Sequence, residues 1–336
     1  MNTTAFPVLT YTADVLAQPG RLTPPEDGVY ICDEATYRRI DALAQSSVKI
    51  AVTDSLADFK FALTHPRQPT QDMLRGRAGH LYILEPAEYE RSVVVMPDVG
   101  RKSAAGQAQW VEAAASMIPD RFIEWERACE GAGFKLHHDG AFALAAEMAG
   151  RTVVDPKWLE QLRAVRDAVM GHPDCAAALQ AASVREVAIV ATCPETGLRV
   201  KGRVDQFAVD AGHVLDFKFP TKLGPAVSPY PGIIRLIRAF RYDFQVAWYE
   251  WLFELVGMKT VMELAFVQWD DSGKTPIDTE HVVVVNLADA DIEAAHTDRK
   301  RVLSRIAEAQ RTDCWPGFPR LLKVAARPMW DMPLED

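Results

Sequence analysis

Two apolar stretches, residues 198–208 and 214–219, flank the turn signal Asp210-Ala211-Gly212. Alternation on both sides of a glycine-bearing turn predicts a β-hairpin. Asp216 and Lys218 are two residues apart, so they leave the same face of the second strand. With Ala211-Gly212 as a two-residue loop, Asp210 pairs with His213 and Asp205 falls opposite Lys218. Three charged side chains then converge, whereas a one-residue slip sends Asp205 to the other face. Two carboxylates and an ammonium on apolar strands are costly to hold together unless a cation occupies the middle. Carboxylate oxygens hold a divalent cation, and a lysine beside it positions a water, which is a recipe for metal-assisted hydrolysis. An isolated Asp-x-Lys is more often a solvated strand face with a weak ion pair. The apolar flanks and the second aspartate at hairpin distance point to the site instead.

A chain of 336 residues can bury a large core, as one big domain or two small ones. No apolar run reaches membrane-spanning length, and Met1-Asn2-Thr3-Thr4 lacks a basic and apolar leader pattern, so a cytoplasmic protein with no membrane partner is expected. Cys32, Cys129, Cys175, Cys193 and Cys314 include no Cys-x-x-Cys pair, which argues against a disulfide framework, a zinc ribbon or an iron–sulfur cluster. The net charge of −9 does not announce nucleic acid. It does not exclude it, because a local basic channel on an acidic body still binds phosphate.

Residues 1–70 read as a lead-in, with helical pieces at 33–44 and 56–64 and a break at His65-Pro66. Residues 71–85 form a helix in which Gly76, Ala78 and Gly79 allow close backbone approach, with His80 just after them. A lone helical histidine is more often packed than ligating. Glu85, beside Pro86, is either a supporting group or a helix end. Further helices are expected at 103–130, 139–150 and 156–170. His137-His138-Asp139 reads as an N-cap turn rather than a metal site. Strands follow from 185, and a helix over 233–256 carries Arg235, Arg238 and Arg241 as one stripe, with Gln245 and Tyr249 sharing a face beside its apolar ridge. A strand at 259–269, another at 281–285 and a charged helix at 289–311 complete a mixed sheet flanked by helices.

Four ordered blocks resemble a known family. They are Gly76-Arg77-Ala78-Gly79-His80 with Leu84-Glu85-Pro86, Lys201-Gly202-Arg203-Val204-Asp205, Leu215-Asp216-Phe217-Lys218, and Gln245-Val246-Ala247-Trp248-Tyr249. In order and approximate spacing the set is similar to the RecE-type exonucleases, the exodeoxyribonuclease VIII group of the PD-(D/E)XK nuclease superfamily, related to lambda-type exonuclease. Trp315-Pro316-Gly317-Phe318 and Pro328-Met329-Trp330 resemble that family's C-terminal end. Phe219-Pro220-Thr221 departs from the Thr-Thr that often follows the family's Asp-x-Lys.

The resemblance implies an α/β (α+β) fold with a restriction-endonuclease-like core spanning 71–336. It implies Asp205 and Asp216 as metal-binding carboxylates, Lys218 acting on the attacking water, and His80 and the Phe217 backbone carbonyl as further ligands. Gln245 and Tyr249 become a supporting pair on the helix. Mg²⁺ is the implied cofactor, and an imidazole ligand suggests that Mn²⁺ is accepted. The implied activity is 5′-to-3′ digestion of linear double-stranded DNA, leaving 3′ overhangs for strand annealing. Implied partners are a homo-oligomeric ring, trimer or tetramer, and a single-strand annealing protein. Arg75, Arg77, Arg101, Lys102, Arg235, Arg238 and Arg241 are candidate phosphate contacts, each equally a solvated helix face. Other readings are an endonuclease or repair nuclease of the same superfamily, or an inactive DNA-binding module on its fold.

Overall fold

Among the described residues eight strands share one sheet, because successive apolar segments from both halves of the chain need partners for their backbone groups. The computed structural model describes residues 8–10, 21–23, 25–65, 70–100, 102–131, 139–181, 183–224, 229–270, 272, 274 and 276–318. The strands are β1 (Val8–Thr10), β2 (Gly28–Ile31), β3 (Leu43–Ala44), β4 (Val93–Val95), β5 (Thr152–Val154), β6 (Ser183–Thr192), β7 (Arg199–Ala208), β8 (His213–Lys218), β9 (Val261–Val267) and β10 (Val282–Asn286). The sheet runs β1-β2-β6-β7-β8-β9-β10, with β3 also on β7, and β4 pairs with β5 apart from it. The β2-β6-β7-β8 and β9-β10 pairs are antiparallel, while β8-β9 is parallel.

The helices are α1 (Glu34–Arg39), α2 (Gln45–Thr53), α3 (Leu56–Thr64), α4 (Gln71–Leu84), α5 (Pro86–Ser92), α6 (Ala104–Met117), α7 (Phe122–Gly131), α8 (Asp139–Met148), α9 (Pro156–Gly171), α10 (Pro173–Gln180), α11 (Tyr230–Phe240), α12 (Tyr242–Leu255) and α13 (Asp289–Thr312). Among the described residues no helix is long and apolar enough to cross a membrane. His137 and His138, Arg101 and Pro328-Met329-Trp330 lie outside the described residues.

Both faces of the central sheet are covered. On β8, Val214 enters the core beneath α2, α3, α11, α12 and α13, whereas Leu215 and Phe217 enter the core beneath α4, α9 and α10. Helices α6, α7 and α8 close a smaller core around Trp110, Trp125 and Phe142.

Three expectations change. First, residues 28–64 are no lead-in: β2 pairs with β6, and Val48, Ala51, Leu56 and Phe59 sit in the main core. The buried Lys201 ammonium donates to the Tyr37 and Ile40 carbonyls at 2.8 and 2.7 Å, tying β7 to the end of α1. A boundary at residue 70 therefore divides one core. Second, the expected helix over 233–256 breaks at Arg241, which is left-handed at φ 50°, ψ 50°. Its guanidinium bonds Asp243 and Asp298 at 3.0 and 2.8 Å, which offsets the strain of roughly 1–2 kcal/mol. Third, the β7–β8 turn has four residues, because Ala208 rather than Asp210 pairs with His213. The register differs by two residues, an even number, so the facing of the strand is preserved.

Gly202 has a steric duty. A Cβ there would stand 2.6 Å from the Tyr249 ring and 2.7 Å from Leu252. Its bare backbone lets α12 lie directly on β7, which carries Gln245 and Tyr249 up to the sheet.

Candidate active site

Strict alternation fails on β6 and β7 at one place. Val184 and Phe207 belong to the core beneath α12, and so do Val187 and Val204, three residues further along each strand. Between them stand Glu186 and Asp205, the one position missing from an otherwise continuous ladder. Glu186 is left-handed at φ 53°, a conformation that costs a residue with a Cβ roughly 1–3 kcal/mol. The β7–β8 ladder also stops short, at Gln206 with Leu215. Continuing that register sets Asp205 level with Asp216. Asp205 turns into the opened seam, and its Oδ2 accepts the Phe217 N–H at 2.7 Å, taking the place of a strand partner.

The predicted residues meet there. Lys218 donates to Asp216 Oδ1, which also accepts from Gln245 Nε2 at 2.8 Å. From α4, His80 Nδ1 stands 3.1 Å from Asp205 Oδ2. That contact is close but off the direction a hydrogen bond needs, and Nδ1 is otherwise buried without a partner. Gly79 permits this approach, because the Phe219 ring would be 3.1 Å from a Cβ at that position. The Phe219 ring in turn meets His80 edge-on at 5.1 Å. Phe219 thus braces the histidine from the position where the family resemblance departs. Tyr249 is buried one turn beyond Gln245, and burial holds its hydroxyl well above its ordinary value and so neutral.

The electrostatics are those of crowded carboxylates. Burial, reinforced by the Asp205 charge, pushes Asp216 up to about 7. Burial also works to raise Asp205, but His80 and Lys218 overcome it and hold that carboxyl at about 2. Burial and the Asp205 charge push Glu186 up to about 7, against the pull of Arg203. Arg203 Nε lies 3.2 Å from both the Glu186 carboxylate and its carbonyl oxygen, clamping the strained residue.

The donor set suits a divalent cation. His80, Glu186 and Asp205 each offer a ligand atom within 4.8 Å of the others, and Asp216 shares the seam through Asp205. Glu186 was not foreseen. Its signal was a charge interrupting the apolar strand opposite Asp205, visible only once that strand is paired with β7.

Asp216 and Glu186 have folded values above their unfolded ones, so the folded state binds more protons between about pH 4 and pH 7. Stability of the metal-free protein therefore falls as pH rises through that window. Asp205 acts oppositely, but only between about pH 2 and pH 4. Melting in EDTA should give a higher Tm at pH 5 than at pH 8, with a smaller difference in Asp216→Asn. Equal differences in the two proteins would contradict the assigned shift.

The arginine candidates separate. Arg75 is only 4% exposed and packs over Trp269 at 5.7 Å with Asp72 beside it, so it is a core residue rather than a phosphate contact. Arg241 is held by two carboxylates, and the expected three-arginine stripe does not form. Arg235 and Arg238 remain exposed on α11. Arg77 pairs with Glu34 at 3.0 Å on the wall of a cleft of about 550 Å³, beside Glu85, Glu186 and Arg203. Lys102 is exposed, on the segment leading into α6.

No protein-family model matches the chain, and no curated protein matches its sequence. Among solved structures it is similar to a protein from Eubacterium rectale named as a candidate exonuclease. The TM-score is 0.50 at 11% identity, over 86% of this chain and 91% of that one. A looser likeness, TM-score 0.31 at 10% identity, links 70% of this chain with 94% of a phage related exonuclease from Haemophilus somnus. The first shares this chain's α/β fold, a mixed and mainly antiparallel sheet flanked by helices.

Proposed function

We propose that this chain is a Mg²⁺-dependent deoxyribonuclease that hydrolyses linear double-stranded DNA from a free end. The direction is 5′ to 3′, and the 3′ overhangs left behind serve recombination by strand annealing. The observation that carries this reading is the meeting of Asp205, Asp216 and Lys218 in one seam, with His80 against Asp205. The cation would be held by His80, Asp205, Asp216 and the Phe217 carbonyl, with Glu186 as a further carboxylate. When bound, Mg²⁺ supplies charge neutralisation at the scissile phosphate. An imidazole in the ligand set makes Mn²⁺ an acceptable substitute.

Lys218 holds and orients the attacking water. The water's oxygen forms the new bond to phosphorus as the bond to the leaving oxygen breaks. The proton it gives up passes to solvent, and the leaving oxygen takes one from a solvent water. Gln245 fixes the Asp216 carboxylate, and Tyr249 supports Gln245 from the same helix face. Arg77, Arg235 and Arg238 are the phosphate contacts of this proposal. A ring-shaped homo-oligomer, trimer or tetramer, and a single-strand annealing partner in the cytoplasm belong to the same reading and rest on the resemblance of the motif blocks.

Incubation with linear and with covalently closed duplex in Mg²⁺ tests it, using 5′-labelled and 3′-labelled ends on the linear form. Early release of the 5′ label with an intact circle is the expected result. A nicked or linearised circle would instead make the protein an endonuclease.

A further inference from the structure

A chain of ring contacts leads from the proposed catalytic lysine out to solvent. The Lys218 ammonium lies 5.0 Å from the centre of the Tyr242 ring. Tyr242 is braced edge-on by the buried Phe266 at 5.8 Å, so its position is fixed by the core. The Phe240 ring is stacked with it, at 5.6 Å and 26°. Phe240 ends α11 and is 50% exposed, although Ile233 and Ile237 of the same helix are buried. Backbone geometry accounts for this placement, because the left-handed Arg241 turns the chain between the two aromatic residues and brings their rings together.

Beside these rings stands one lysine whose bond is to a backbone carbonyl, whereas Arg241 is matched by Asp243 and Asp298 and Lys218 by Asp216. Lys49 of α2 reaches across and donates to the Phe240 carbonyl at 3.1 Å, leaving further N–H groups for another acceptor. Burial lowers the Lys49 pKa, and the nearby Lys218 and Arg241 lower it further. A lysine ammonium with N–H groups to spare beside an exposed aromatic face suits an anion that carries a flat apolar group.

We infer that Phe240, Tyr242 and Lys49 form a nucleotide-binding step next to the scissile position, where a base stacks on Phe240 and Lys49 takes the adjoining phosphate. This deepens the nuclease reading and rests on it for the identity of the neighbouring site. The occupant is an unpaired or terminal base of a DNA strand, since a base inside a duplex has no free face to offer. The step therefore favours frayed ends over continuous duplex.

The test is equilibrium binding in EDTA, by fluorescence anisotropy, of a labelled single-stranded oligonucleotide and of the same backbone made abasic. The proteins are the wild type, Phe240→Ala, Phe240→Trp and Lys49→Ala. Phe240→Ala should bind the oligonucleotide roughly tenfold more weakly, in keeping with the loss of one stacked base. Phe240→Trp should keep wild-type affinity, and wild type and Phe240→Ala should bind the abasic backbone alike. Lys49→Ala should weaken binding to both and flatten the salt dependence.

Equal affinity of wild type and Phe240→Ala for the oligonucleotide would overturn the step, and so would an equal loss on the abasic backbone. A wild type that binds neither probe overturns it too. Wild-type cleavage of duplex alongside unchanged Phe240→Ala affinity removes this step alone. A Phe240→Ala affinity loss in a protein that cuts nothing removes the nuclease reading instead.

Discussion

Lys218→Ala should reduce cleavage of linear duplex by about 10²–10³-fold, the scale seen when one charge-stabilising donor is removed from an active site. DNA affinity should stay within a few-fold of wild type, because the bulk of such affinity comes from dispersed phosphate contacts. The physical reason is local. Lys218 is the ammonium within bonding reach of Asp216, and the same ammonium lies over the Tyr242 ring. Folding should survive the change at neutral pH and below. Asp216, already pushed up to about 7 by burial and Asp205, can remain protonated when its partner is lost. Lys218→Arg is a useful comparison, since it keeps the charge but presents a planar fork in place of a compact ammonium. Gel assays with Mg²⁺ and anisotropy in EDTA separate the two effects. Unchanged cleavage by the alanine variant would remove the role assigned to this lysine.

Trp248→Ala should cost about 3–5 kcal/mol, the largest stability loss expected from a single change near the site. The indole is fully buried, lies 5.9 Å from Phe244 and 5.5 Å from Trp251, and donates to the Lys201 carbonyl at 3.1 Å. Truncation leaves a cavity and removes the indole's hydrogen bond to β7. The damage should also reach the chemistry, because Trp248 seats α12 on the strand that carries Asp205, and α12 carries Gln245. Urea unfolding measures the loss, and a change below about 1 kcal/mol would mean that the helix is held elsewhere.

The hairpin was legible because charge and alternation act over short range. Asp216 and Lys218 interrupt an apolar run at a spacing of two, and no tertiary information is needed to place them together. The length of the turn was not legible. Val209-Asp210-Ala211-Gly212 supports a two-residue or a four-residue loop, and cross-strand packing chooses between them. Glu186 was hidden for a deeper reason. Nothing in Arg185-Glu186-Val187 marks a left-handed backbone, and its meaning depends on sitting opposite Asp205 in a pairing distant along the chain.

The break at Arg241 depends on Asp298, a partner fifty-seven residues away, so the residues from 233 to 256 read as one helix. β2 escaped notice because Gly28-Val29-Tyr30-Ile31 is too short to alternate, and it is a strand because β6 offers an edge. Arg75 shows the converse error. Its charge suggested phosphate, whereas its stem and guanidinium lie against Trp269 in the core.

The most direct check is release of nucleotides from linear duplex DNA by the wild type in Mg²⁺, by the wild type in EDTA, and by Asp216→Asn in Mg²⁺. Release in the first reaction alone is the predicted result. Comparable release in EDTA, or by the Asp216→Asn protein, would contradict a cation held at the seam between β7 and β8 as the seat of hydrolysis.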